Sequence, residues 1–174
     1  GLVDREAARV VQHQLRAFLI GQDPLAIAEV WDKMYRSNRH SRAGHYMMGM
    51  SAIDNALWDL AGKHFGVPVH RLLGGPTRES VEAYASCLGS SVEPEAVARR
   101  SVELKQQGFR YQKWFFPHGP SHGTKGLLAN VELVRNLRQA LGDEYEIMFD
   151  AFNGWDLDYA KDWAGLSEKY RPRW

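Results

Sequence analysis

Apolar positions in the first 75 residues recur at helical spacing, and from about residue 80 that spacing alternates with short strand-like runs. Ala8, Val11, Leu15 and Leu19 predict a helix over residues 4 to 20. Asp23-Pro24 reads as an N-cap followed by proline at the first helical position, opening a helix through about Arg36. Ser51 with Asp54 three residues on resembles a capping box. Ile53, Ala56, Leu57, Leu60 and Ala61 then fill one face of a third helix, and Gly66 and Pro68 supply its stop. Residues 1 to 76 thus read as a helical segment that closes on the turn-rich run Leu72-Leu73-Gly74-Gly75-Pro76.

Beyond it the period changes. Val81, Ala83, Ala85 and Cys87 alternate with Glu82, Tyr84 and Ser86 as in a strand. Pro94 to Gln107 follows as a helix, with Val97, Ser101 and Leu104 on one side and Gly108 as its stop. Phe109 to Phe116 predicts a second strand. Leu127, Val131, Val134, Leu137 and Leu141 mark a helix ended by Gly142, and Tyr145 to Phe149 is a third strand stopping at Asp150. Asp156 to Tyr170 makes a last helix, with Tyr159, Trp163 and Leu166 on its apolar side. Strand starts near residues 81, 109, 145 and 172 recur at roughly the 30 residues of a βαβ unit. The expectation for residues 77 to 174 is a parallel α/β sheet of three βα units and the start of a fourth, too few to close a barrel.

Composition narrows the classes. Apolar residues make up 44% and charged residues 25%, which excludes disorder as the main state. Lys+Arg 22 against Asp+Glu 21 gives no bias toward nucleic acid or a membrane surface. No apolar run approaches the ~18 residues of a membrane span. Cys87 is the one cysteine, so an intrachain disulfide and a multi-cysteine zinc site are excluded, and a reducing cytoplasm fits. The chain starts on Gly1 rather than Met and stops at Trp174 just after Arg171-Pro172-Arg173. It reads as a piece cut from a longer protein.

Ligands in parallel α/β architectures bind at the carboxyl ends of strands. That rule selects Cys87 to Ser90, Lys113 to Phe116, and Asp150. A lysine inside an apolar strand needs a carboxylate or a ligand for its ammonium. Lys113 and Asp150 therefore read either as a structural ion pair or as functional groups, and spacing leaves both open. Cys87 reads as a small buried hydrophobe. His118 and His122 are four apart, but Pro117, Gly119, Pro120 and Gly123 disfavour a helix. The pair is expected on a mobile loop over a pocket, without helical metal-ligand geometry. Gly119, Gly123 and Lys125 miss the spacing of a phosphate loop. Arg39, His40, Arg42 and His45 form a basic cluster that reads as a solvated loop ahead of a substrate clamp.

The runs Ser51-Ala-Ile-Asp-Asn-Ala-Leu-Trp-Asp-Leu-Ala-Gly-Lys63, Gly66-Val-Pro-Val69, Leu72-Leu-Gly-Gly75, Gly108-Phe-Arg-Tyr-Gln-Lys113 and Met148-Phe-Asp150 resemble the mandelate racemase branch of the enolase superfamily. Lys113-Trp-Phe-Phe-Pro-His-Gly-Pro-Ser-His-Gly123 and Trp155-Asp-Leu-Asp-Tyr-Ala160 are similar to its acid-sugar dehydratases, the rhamnonate dehydratases among them. The resemblance implies the helical part of an enolase-type cap over residues 1–76. It implies the first three βα units of a modified (β/α)8 barrel over residues 77–174. It also implies a Mg²⁺-dependent hydro-lyase that removes the proton next to the carboxylate of a small-molecule sugar acid, in a homo-oligomeric parent protein. On it, Asp150 is the first metal carboxylate. Lys113 is the first lysine of a Lys-x-Lys pair and touches substrate, and His118 and His122 bind substrate. Phe115 stands where the second lysine would be. The base, a histidine backed by an aspartate, and the remaining glutamate ligands are expected beyond Trp174. The alternatives are a racemase or cycloisomerase on the same scaffold, or a non-catalytic barrel fragment.

Overall fold

The computed structural model describes residues 4–39 and 43–174. The chain divides into two compact units, Gly1–Ser80 and Val81–Trp174.

The first unit is helical. Asp4 caps α1 (Arg5–Val10), its Oδ1 accepting from the Ala7 amide at 2.6 Å. The helical path continues through a π-helical turn, Val11–Leu15, and a 3₁₀ turn, Arg16–Phe18. Next come α2 (Ile27–Ser37), α3 (Gly44–Phe65) and the single turn α4 (Val69–Leu72). Leu15, Val30, Met34, Tyr46, Met50 and Ile53 form the core. Two sequence expectations shift. Asp23 accepts from the Leu25 amide and closes a turn, so α2 starts at Ile27 rather than at Pro24. Ser51 lies well inside α3 and caps nothing, because Tyr46 and Met50 carry the apolar face a further two turns toward the N-terminus. Ala56 and Leu60 stay on the open side of that helix. Gly66 ends it with φ +68°, where a side chain would be strained.

The second unit is a three-stranded parallel sheet in the order β1-β2-β3, made of β1 (Tyr84–Ser86), β2 (Tyr111–Phe115) and β3 (Glu146–Asp150). Helices α5 (Pro94–Gln106), α6 (Gly123–Leu141) and α7 (Leu157–Ser167) follow the strands in turn. Only three residues of the predicted first strand pair, and Val81 is exposed. On α7, Ser167 is buried while Leu166 is exposed.

Side chains alternate across the sheet. Ala85, Gln112, Trp114, Ile147 and Phe149 are buried, and all but Gln112 join the apolar core of the unit. Gln112 is tolerated in that layer because its amide is satisfied. It donates to Ser101 O at 2.8 Å and to Tyr145 Oη at 3.1 Å, and its Oε1 accepts from Trp114 Nε1 at 3.0 Å. The opposite face carries Tyr84, Ser86, Lys113, Phe115 and Asp150. At the third strand's outer edge, Arg173 N–H donates to Ile147 O and Phe149 N–H donates to Trp174 O, both at 2.8 Å. Residues 171–174 form no strand of their own, but these two bonds occupy part of the edge that would otherwise invite association.

Candidate functional site

Lys113 and Asp150 come together on the open face of the sheet. The parallel register sets Lys113 opposite Met148 and Phe115 opposite Asp150, so Lys113 Nζ reaches forward and meets Asp150 Oδ2 at 3.0 Å. The other carboxylate oxygen is also engaged, since Oδ1 accepts from the Phe152 amide at 2.9 Å. That bond is set by a tight turn in which Phe152 and Asn153 have φ of +52° and +57°, a costly region for residues with a Cβ. The Phe152 amide and the Lys113 ammonium hold the Asp150 carboxyl below its ordinary range, and the Asp150 bond raises the Lys113 ammonium.

The signs define a window. Asp150 contributes stability above its ordinary value of 3.8, lost as pH falls through its lower folded value. Lys113 contributes below its ordinary 10.5, lost as pH rises through its higher folded value. The pair is therefore expected to stay intact from about pH 4 to about pH 10. A carbon-13 titration of the Asp150 carboxyl checks this. A midpoint below 3.8 is expected, and one above it contradicts the bonding described.

Three aromatic rings flank the ammonium. Lys113 Nζ lies 5.0 Å from the Phe115 ring centre, 5.2 Å from that of Tyr84 and 6.0 Å from that of Trp174. Phe115 in turn stacks on Phe152 at 4.8 Å. Sequence reasoning missed Tyr84, Phe152 and Trp174. Tyr84 was readable, because strand alternation puts it on the face of Ser86, beside Lys113; Asn153-Gly154 announces a turn after β3, closed by the Gly154 amide on Ala151 O, but not that it presents Phe152 to Phe115.

His118 and His122 do meet, with ring centres 4.9 Å apart, but in a folded segment rather than a mobile loop. The 3₁₀ turn Pro120–His122 runs directly into α6. His118 O accepts from Asn130 Nδ2 at 2.9 Å and from Trp155 Nε1 at 2.8 Å, which pins the loop to α6 and to the segment after β3. Gly126 makes the fit, since a Cβ there would lie 2.4 Å from that of His122. No hydrogen bond, ion pair or ring contact joins these histidines to Lys113 or Asp150. Of the basic cluster, His40 and Arg42 lie outside the described residues, Arg39 is exposed, and His45 Nε2 lies 3.4 Å from Asp4 Oδ2. Cys87 is buried and its thiol is pushed up to about 11, which leaves it protonated and unsuited to nucleophilic work.

A hard divalent cation takes oxygen donors, and Asp150, fixed at a strand end, is of that type. Among the described residues no three His, Cys, Asp or Glu side chains converge to hold an ion. Asp150 by itself offers one oxygen donor group of the kind such an ion takes. Among the described residues no helix is long and apolar enough to cross a membrane.

Comparisons with known proteins agree with the architecture. Residues 1–74 match the family model described as mandelate racemase / muconate lactonizing enzyme, N-terminal domain, and residues 96–174 match the enolase C-terminal domain-like model. A protein of Saccharopolyspora erythraea named L-rhamnonate dehydratase is 33% identical over 168 residues, covering 96% of this chain and 40% of that one. The crystal structure of rhamnonate dehydratase from Gibberella zeae complexed with Mg is similar at TM-score 0.81 and 33% identity, over 97% of this chain and 39% of that chain. A mandelate racemase/muconate lactonizing enzyme-like protein from Rubrobacter xylanophilus gives TM-score 0.85 at 28% identity, over all of this chain and 51% of that one. The chain thus spans about 40% of the length of the curated relative it matches. With both family models matching in order along one α/β chain, this protein belongs to the mandelate racemase / muconate lactonizing enzyme family of the enolase superfamily.

Proposed function

We propose that this chain is part of a Mg²⁺-dependent sugar-acid dehydratase, a soluble cytoplasmic enzyme that forms a homo-oligomer, with L-rhamnonate as the first substrate to test. On this proposal residues 1–76 are the helical part of the cap and residues 77–174 the first three βα units of the barrel. Asp150 supplies one metal carboxylate, Lys113 contacts the substrate carboxylate, and His118 and His122 line the substrate loop. The observation that carries the proposal is the 3.0 Å pairing of Lys113 with Asp150 on adjacent strand ends, with Phe115 in register beside Asp150.

A proton next to a carboxylate is very weakly acidic, because its loss creates a dianion. Bound Mg²⁺ would supply positive charge against the carboxylate oxygens. Lys113 holds a further fixed positive charge on the same side, stabilising the negative charge as it develops. Phe115 neither accepts nor donates a proton, so on its face of the substrate no proton is returned. One-sided proton removal with departure of the 3-hydroxyl gives an enol that becomes the 2-keto-3-deoxy acid. A two-base racemase needs a titratable group where Phe115 stands.

The experiment is to incubate the full-length protein with Mg²⁺, L-rhamnonate and related aldonates in deuterated water, following carbon 2 by NMR. A 2-keto-3-deoxy product without the 2-epimer is expected. A deuterated 2-epimer without keto product overturns the proposal.

A further inference from the structure

Each carboxylate oxygen of Asp150 already accepts one hydrogen bond, Oδ1 from the Phe152 amide and Oδ2 from the Lys113 ammonium. A divalent cation arriving at this carboxylate meets the ammonium at close range, and like charges a few ångströms apart repel strongly where solvent is partly excluded. The surroundings offer the ammonium somewhere to go, because Phe115, Tyr84 and Trp174 present their rings at 5.0, 5.2 and 6.0 Å from Nζ, within cation–π range. Tyr84 and Trp174 are themselves in edge-to-face contact at 6.5 Å, so the two rings stand as one wall.

We propose that Lys113 occupies the cation position at Asp150 while metal is absent, and that Tyr84, Phe115 and Trp174 form the aromatic seat to which its ammonium withdraws when a divalent cation takes the carboxylate. This rests on the assignment of Asp150 as a metal carboxylate. It gives the three rings a positioning role. They keep a positive charge beside the site without supplying a counter-charge. Because ring faces accept hydrogen bonds only weakly, the ammonium protons stay available for a substrate carboxylate. A carboxylate partner in place of the rings would neutralise the lysine that the chemistry uses.

The test is a MgCl₂ titration of the full-length protein followed by NMR, with the Phe152 amide reporting the carboxylate and carbon-13 at the lysine ε position reporting Lys113. In the wild type, Mg²⁺ is expected to shift the Phe152 amide and to move the Lys113 ε protons upfield as they enter the ring faces. Lys113→Met is expected to tighten Mg²⁺ binding about fivefold, because the competing cation is gone. Tyr84→Leu is expected to weaken it in the presence of Lys113 and to have no effect in the Lys113→Met background. The wild-type ε-proton shift needs no variant to fold. If the Phe152 amide responds to Mg²⁺ while the ε protons stay still, or if Lys113→Met leaves the affinity unchanged or weaker, the displacement is overturned and Asp150 remains a metal ligand. If the Phe152 amide does not respond at all, the metal assignment of Asp150 falls, and the displacement with it.

Discussion

Replacing Arg138 by methionine is expected to destabilise the second unit by about 3–4 kcal/mol, more than any exposed substitution in the chain. The guanidinium is buried and donates from Nε to Tyr170 O at 2.9 Å and from Nη2 to Arg171 O at 3.0 Å. Its Nη1 donates to the carbonyls of Gly142, Asp143 and Tyr145 at 2.8, 3.2 and 2.7 Å. One side chain thus ties the turn between α6 and β3 to the segment leaving α7. Burial draws the guanidinium below its ordinary range, with Arg171 adding to the effect, but at so high a starting value it stays charged. Methionine keeps much of the volume and strands the carbonyls. Those near solvent regain water, which is why the cost is well below five full hydrogen bonds. Lysine, a point charge without the planar fork, is expected to recover only part of the loss. Urea unfolding followed by tryptophan fluorescence checks this, and a change below about 1 kcal/mol for Arg138→Met contradicts it. The effect reaches the site, because the segment that Arg138 anchors goes on to pair with β3 and sets Trp174 beside Lys113.

The second large effect is on turnover. In the full-length protein, Lys113→Met is expected to lower kcat by about 10²–10³, the range for removing one preorganised donor to developing negative charge. KM should rise far less, because the charge that Lys113 stabilises is larger in the transition state than in the bound substrate. The fold should be little affected. The ion pair is partly solvated, with side-chain exposures of 14% and 32%, and Asp150 keeps its bond to the Phe152 amide. Steady-state kinetics beside thermal melts separate the two. A parallel loss of melting temperature and kcat, or a change confined to KM, contradicts a transition-state role.

The parts of the fold legible in the sequence are those where periodicity and burial coincide. On α5 the face Val97, Ser101 and Leu104 is the buried one, and β3 stops at Asp150 where its apolar run stops. The errors fall where a local signal was overridden. Ser51 and Asp54 have the spacing of a capping box, yet the apolar face continues past them and packing outweighs the cap. The glycines and prolines around His118 suggested mobility, but carbonyl hydrogen bonds from Asn130 and Trp155, some 12 and 37 residues away in sequence, fix that segment. Such bonds leave no trace in periodicity. Lys113 and Asp150 were visible because a charge in an apolar strand is conspicuous. Arg138 was not, because an arginine in the last turn of a helix is common and its partners are backbone carbonyls that any sequence supplies. Tyr84 and Trp174 become neighbours only through strand register.

The most direct measurement is the Mg²⁺ dependence of 2-keto-3-deoxy acid formation by the full-length protein and by its Asp150→Asn variant, each first stripped of metal. Asparagine preserves the size of the side chain and removes the charge that would hold the cation. The wild type is expected to be inactive until Mg²⁺ is restored, and Asp150→Asn to stay inactive at every Mg²⁺ concentration while remaining folded. Turnover by the folded Asp150→Asn protein at a rate near that of the wild type, or by the wild type without any divalent cation, would contradict the central assignment.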